Sequence, residues 1–242
     1  MRIDLFSAVF EKHRSIRRYK QANIPQHDLS SIIEAGRRAP TDASLHLWTV
    51  IRVVDRNKRR KISDLVGQNH IYQASEFLVF IADLYRLKRL LQHRGEELGD
   101  VDFALLLFAA VDAALAAENM AIMAESLGYG TCFIGGIQNI PDKIIELLEL
   151  PPKTYPLFGL TIGVPDEDPP KRPRLPTNQL VHVNRYRDYT ENDLEEAYRV
   201  MAPITRSRDW LRVLKRYAGR GGYFEDRNRR IRDILSKQGF SI

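Results

Sequence analysis

The 242 residues carry 44% hydrophobic and 28% charged side chains, enough to bury the core of one large domain, with or without an excursion. The net charge of +6 admits an anionic partner, but no zinc-ligand spacing, aromatic RNA-binding motif or clear helix-turn-helix accompanies it, so no nucleic-acid partner is expected. The single cysteine, Cys132, excludes an internal disulfide; with no apolar leader in Met1-Arg2-Ile3-Asp4-Leu5-Phe6, it predicts a cytoplasmic protein.

Asp4 to Glu11 predicts a short helix. His13-Arg14-Ser15-Ile16-Arg17-Arg18-Tyr19 then sets cations and a hydroxyl around one apolar residue. In an extended stretch Ser15 shares a face with His13 and with Arg17. Such a face can hold a phosphate by charge-assisted hydrogen bonds of about 1.5–3 kcal/mol each; an exposed basic loop is the plainer alternative. Leu29, Ile32, Ile33 and Gly36 follow helical spacing from an Asp28-led start, and the helix ends before Pro40. Thr41-Asp42-Ala43-Ser44 reads as a polar turn, Trp48 to Val54 as a strand and Asn57 to Val66 as a charged helix. Gln68-Asn69-His70 falls in the next loop. Glu76 to Ala82 reads as a buried strand, and Arg86 to Gly99 as a polar, helical surface excursion.

Val101 to Leu127 predicts one long helix. Its apolar residues occur almost all the way round, which predicts burial. Asp102, Asp112, Glu118, Asn119 and Glu125 keep any apolar run short of the ~20 residues a bilayer needs, so no membrane span is expected. Asp112, if buried, needs a partner. Gly128 ends the helix. The stretch from Gly130 then runs as a short strand into Gly135-Gly136. That arrangement lets backbone amides approach a flat ligand, unless it is a plain helix–strand connection. Pro141 opens a helix to Leu150, and Pro156 to Val164 is another buried strand. Pro165 to Pro176 presents Lys171, Arg172 and Arg174 on a backbone stiffened by proline. Thr190-Glu191-Asn192-Asp193 resembles a capping box. Asp209 caps a helix ending near Gly219, and the last helix ends near Gly239. The interleaving predicts an α+β sheet core with helices on both faces. Cys132 reads as a small buried residue, and the six histidines lack metal-ligand spacing, so no metal is expected.

In this order, several stretches resemble the FMN-dependent nitroreductases, in the branch of oxygen-insensitive NADPH nitroreductases and flavin reductases. They are His13-Arg14-Ser15-Ile16-Arg17, Arg38-Ala39-Pro40-Thr41, Gly67-Gln68-Asn69-His70 and Ala124-Glu125-Ser126-Leu127-Gly128. Phe133-Ile134-Gly135-Gly136-Ile137-Gln138-Asn139, Tyr155 to Gly163 and Lys171-Arg172-Pro173-Arg174-Leu175-Pro176 continue the series. Any one is weak; the ordered set is specific. The resemblance implies a three-layer sheet flanked by helices, in one domain with a core to residue 186 and a helical extension over 187–242. It also implies a homodimer with the long helix in its interface and FMN in clefts between subunits.

Residue by residue, the resemblance gives His13, Arg14, Ser15 and Arg17 the flavin phosphate and pyrimidine edge. Arg172 and Arg174 meet the same phosphate. Thr41 and its neighbours line the flavin across the dimer, Gln68 meets its ring or ribityl chain, and Ile134, Gly135 and Gly136 set backbone amides near N5. The family's Gln has no counterpart here; His46 stands in for it as a hydrogen-bond donor. Asp42 and Ala43 are not expected as side-chain contacts. Arg206, Arg208, Arg227 and Arg229 are the cations available to NADPH, or else form a solvated basic tail. The implied activity is ping-pong hydride transfer from NADPH or NADH through FMN to a nitroaromatic, quinone or flavin acceptor, with no catalytic acid or base assigned. The alternative is a same-fold FMN protein with a dedicated substrate or a regulatory flavin.

Overall fold

The computed structural model describes residues 6–241. Of the helix expected from Asp4, the first residues lie outside these, and Phe6–Phe10 forms a single π-helical turn. Then come α1 (Gln26–Arg37), a 3-10 turn (Asp42–Ser44), β1 (Trp48–Arg52), α2 (Arg56–Val66), α3 (His70–Gln73), β2 (Glu76–Asp83) and α4 (Leu84–His93). α5 (Asp102–Ser126) leads to β3 (Gly130–Ile134), a second 3-10 turn (Gly135–Asn139), α6 (Pro141–Leu148) and β4 (Thr154–Gly163). α7 (Thr177–Leu180), α8 (Glu191–Met201), α9 (Leu211–Ala218) and α10 (Tyr223–Lys237) follow. Contacts divide the chain into two compact units. The first runs to Pro169 and resumes at Arg230; the second is Pro170–Arg229. The resemblance placed a single division at 186/187.

The first unit is built on a sheet of order β1-β2-β4-β3, antiparallel throughout. Strand residues alternate between faces. Leu78, Phe80, Leu160 and Ile162 pack with Leu29 and Ile32 of α1 and Ala113, Ala116, Ala117 and Met120 of α5. Phe77, Val79, Ile81 and Ile134 pack with Ile62 of α2, Ile71 of α3 and Ile144 of α6. Helices on both faces explain why all of β2 is buried and why its sequence is a continuous apolar run rather than an alternation.

The long helix is buried on the face it turns to the core, as read, and open on the other. Its alanine and methionine face is buried, but Phe103 (63% exposed), Leu107, Phe108, Val111 (54%) and Leu115 face outward. A helix apolar all round needs neighbours on every side, and this unit supplies them on one. By length and hydropathy α5 could cross a bilayer. Its packing on α1 and the sheet makes it a core helix. So does Asp112, which is buried and accepts the amides of Asp42 (3.0 Å) and Leu47 (3.2 Å). Gly128, at φ 88°, ends the turn that follows the helix, as expected.

Other boundaries shift for local reasons. Asp55 caps α2 through the amides of Asn57 (2.7 Å) and Lys58 (3.1 Å). His70 begins α3 instead of sitting in a loop. In the second unit the Thr190–Asp193 capping box forms as read. Asp209 does not cap α9: Trp210 takes that position, and the Asp209 amide donates to Thr205 Oγ1 (3.0 Å). The Arg187 guanidinium beside Asp193 (2.7 Å) holds its carboxyl well below the usual range. At the end of the described chain, Lys153 N donates to Gln238 O (2.7 Å), Ser241 N donates to Asp102 Oδ2 (2.7 Å), and Phe240 is buried.

Candidate functional site

The segment from His13 to Lys20 runs from the side of β3 to the residues just beyond β4. Ser15 pairs with Thr131 in parallel fashion, and Tyr19 pairs with Pro165. Ile16 N donates to Thr131 O (2.8 Å), and Lys20 N donates to Val164 O (2.9 Å). This close approach needs a glycine at 130, where a Cβ would stand 2.6 Å from Ile16 Cγ1. Tyr19 fixes the far end: its hydroxyl donates to Ile16 O (2.8 Å) and lies 2.9 Å from Thr161 Oγ1, and burial pushes the phenol far above its ordinary value.

The polar side chains of this strip have specific partners. His13 Nδ1 lies 2.9 Å from Glu125 Oε1, which also accepts from Thr131 Oγ1 (2.5 Å). Arg14 Nε lies 3.1 Å from Asp168 Oδ1 without hydrogen-bond geometry, so this buried nitrogen has no bond. Glu167 Oε1 accepts the amides of Arg17 (2.5 Å) and Arg18 (3.0 Å). Burial pushes the Cys132 thiol up, opposed by the Arg17 charge and the Ser15 hydroxyl. Burial and Arg17 push His70 down, and its Nε2 is buried without a bond. An open cleft of about 260 Å³ lies here, lined by Lys12, Arg14, Ile16, Glu125, Gly130 and Asp168 among others.

A second cluster closes around the glycines after β3. Ile134 is fully buried, backbone included, whereas Gly135 is exposed. A Cβ on Gly136 would lie 2.5 Å from Val66 Cγ1 and 3.4 Å from Gln68 Nε2, which places Gln68 directly against this turn. A Cβ on Gly135 would meet nothing within 4 Å.

The third piece is the loop from Thr41 to Leu47. Thr41 is extended and half-buried, whereas Ala43 (φ 44°), Ser44 (φ 58°) and His46 (φ 52°) are all left-handed. Non-glycine residues held there cost on the order of 1–3 kcal/mol each, and persist only when their surroundings over-determine them. Asp112 holds the Asp42 and Leu47 amides. Arg86 donates to His46 O, Trp48 O (2.8 Å) and Thr49 Oγ1 (2.7 Å). His46 itself is exposed.

In the second unit, Arg172 and Arg174 are exposed, and Arg174 Nη1 donates to the carbonyls of Arg172 (3.2 Å) and Pro173 (3.2 Å). Arg206 and Arg208 are exposed. Arg229 is paired with Asp226, and Arg227 sits 5.2 Å over the Phe224 ring.

The structure thus joins His13, Arg14, Ser15 and Arg17 in one strip, and Gln68 with Gly136. Glu125, Glu167, Asp168 and Arg86 escaped sequence reasoning. Glu125 was legible as a polar break in an apolar helix and as part of one resemblance stretch but not as a site residue, because its partner His13 is 112 positions away. The acid pair Glu167-Asp168 lay in plain view within the proline-rich stretch, overshadowed by its cations.

The Nitroreductase family model matches residues 10–164. Among curated proteins, the chain is 36% identical over 242 residues to "FMN reductase [NAD(P)H]" of Bacillus subtilis (strain 168), covering 95% of each chain. It is 37% identical over 183 residues to "FMN reductase (NADPH)" of the same strain, covering 74% of each. Among solved structures, NfrA1 nitroreductase from B. subtilis superposes with a TM-score of 0.88 at 30% identity, covering 98% of this chain and 99% of that one.

Proposed function

Because the chain belongs to the nitroreductase family, we propose that it is an FMN-dependent NAD(P)H oxidoreductase of the flavin-reductase kind, acting as a cytoplasmic homodimer. The near end-to-end likeness to an FMN reductase [NAD(P)H] carries this reading.

The residues present fit a flat, anionic cofactor. Arg14 Nε is a buried donor without a bond, and open space stands over Gly135 where a Cβ would otherwise project. His13, Arg14, Ser15 and Arg17 hold the phosphate and pyrimidine edge. Arg172 and Arg174 are assigned to phosphate binding by the resemblance, as are Thr41, His46 and Gln68 to the flavin body and the Ile134-Gly135-Gly136 backbone to the N5 side. Asp168 is no serious obstacle. Its side chain is 86% exposed beside Arg14, and such an ion pair contributes only about 0–1 kcal/mol. A phosphate forming charge-assisted bonds of about 1.5–3 kcal/mol displaces it. Glu125 anchors His13 from the helix side.

When bound, FMN would supply the redox chemistry, namely hydride transfer from NAD(P)H to a nitroaromatic, quinone or flavin acceptor in ping-pong order. The chain contributes position and fixed charge. Arg14 and Arg17 stabilise negative charge, and backbone amides of the glycine turn offer fixed dipoles. No side chain is assigned as a general acid or base. Arg206 and Arg208 are proposed to favour NADPH by pairing with its extra phosphate. The outward stripe of α5, with Phe103, Leu107, Phe108, Val111 and Leu115 exposed, supports self-association.

The test is a visible spectrum of the purified protein before and after anaerobic NADPH or NADH. A flavin spectrum that bleaches supports the reductase, and the faster nucleotide identifies the donor. Protein that stays colourless after incubation with FMN overturns the reading. A bound flavin that neither nucleotide reduces shifts it to a dedicated or regulatory flavoprotein.

A further inference from the structure

We propose that Arg86 and Asp112 are positioning residues for the Thr41–Leu47 loop, holding it in a conformation it would not keep alone so that it meets the flavin preorganised. The inference rests on the reading of Thr41 and His46 as flavin-lining.

Three observations carry it. First, the strained residues themselves pack nothing: Ala43, Ser44 and His46 have positive φ and exposed side chains, whereas Leu45 and Leu47, which alternate with them, pack into the core. A connection from α1 to β1 that only bridged two elements would need no left-handed residues. Second, the restraint comes from two charged side chains on two different helices. Asp112, 1% exposed within α5, gives each of its oxygens to one end of the loop, Asp42 N at 3.0 Å and Leu47 N at 3.2 Å. Arg86 of α4 forks across the carbonyls of His46 and Trp48 and the Thr49 hydroxyl. Arg86 is itself held by Asp83, whose carboxylate lies 3.4 Å away and also accepts from Thr49 Oγ1 (2.5 Å). Third, among the described residues the amides of Ala43 and His46 donate no hydrogen bond, while those of Asp42, Leu45 and Leu47 do. The clamp therefore fixes the ends while the exposed residues Ala43 and His46 keep backbone donors without a partner, suited to the carbonyl edge of a bound ring or an incoming acceptor.

The experiment measures FMN affinity and stability separately. Apoprotein is titrated with FMN by flavin fluorescence, and the same samples are unfolded in urea. The variants are Arg86→Met, Asp112→Asn, and Arg86→Met combined with Ser44→Gly. If the released loop holds its binding form only about a tenth of the time, Arg86→Met weakens FMN binding about tenfold. Glycine adopts positive φ freely, so Ser44→Gly restores at least threefold of that loss in the Arg86→Met background without restoring the urea midpoint. Arg86→Lys keeps the charge but not the fork, and is the substitute if Arg86→Met does not fold. Unchanged FMN affinity with a lowered urea midpoint would reduce Arg86 to a structural role and overturn the inference. So would a loss of affinity that glycine leaves untouched. Parent protein that binds no FMN defeats the flavin reading instead, which is a distinguishable failure.

Discussion

Adjacent glycines give the sharpest separation of packing from ligand binding. Replacing Gly136 with alanine puts a methyl 2.5 Å from Val66 Cγ1. Valine is stiff at χ1 and yields poorly, although Gln68 Nε2, at 3.4 Å, can swing away. Overpacking of this kind costs about 1–3 kcal/mol. At roughly 2–4 °C per kcal/mol for a chain of this size, the apoprotein should melt about 2–12 °C lower. Replacing Gly135 puts a methyl where nothing lies within 4 Å, so apoprotein stability should hold within about 0.5 kcal/mol. That same methyl intrudes where the cofactor is proposed to lie. If the intrusion also costs about 1–3 kcal/mol, FMN binding weakens roughly 5- to 140-fold. Thermal melts of the two apoproteins and flavin-fluorescence titrations give the four numbers. A Gly135→Ala protein that binds FMN like the parent would refute the placement of the ligand, and a Gly136→Ala protein that melts with the parent would refute the packing argument.

Two further perturbations address assembly and pH. Leu107→Asp with Val111→Asp charges the outward stripe of α5 without entering its buried face; sedimentation should show a dimer become a monomer with unchanged helical circular dichroism, and an unaltered dimer would exclude this face as the interface. His70 titrates below its ordinary value of 6.5 in the folded chain, through burial and Arg17. The unfolded chain therefore takes up that proton first. The urea midpoint should fall as pH drops from 6.5 towards the folded value, and His70→Gln should flatten that fall; equal slopes in both proteins would show that His70 is not responsible.

Much of the fold could be read from residue pattern. The unbroken apolar runs of β2 and β4 announced a sheet covered on both sides, and the Thr190–Asp193 box and Gly128 marked helix ends through strictly local chemistry. The core role of α5 was legible, but periodicity reports how much apolar surface a helix carries, not what covers each side of it. Asp112 was visible as a carboxylate needing partners; that both partners are amides of one strained loop depends on a tertiary approach with no trace in composition. The same holds for Glu125 beside His13. At Asp209 the competition was local but subtle, since Thr205 captured the amide and left Trp210 to start α9. Likewise, no single motif pointed to the proposed cofactor site: the Ser15–Arg17 strip and the Gly135-Gly136 turn gained meaning from their order along the chain.

The return of residues 230–241 to the first unit has a consequence for how the protein is made. Asp102, at the start of α5, receives the Ser241 amide, and Lys153 N bonds Gln238 O. A ribosome has therefore delivered α7, α8 and α9 of the Pro170–Arg229 insertion before the last pieces of the first unit exist. Until then Asp102 has Lys153 Nζ but lacks the Ser241 amide, and the contacts that bury Phe240 are unmade, so the first unit is completed only after the insertion has been synthesised. Since both ends of the insertion are tied into the same body, a protease cutting once within it leaves two fragments that remain associated.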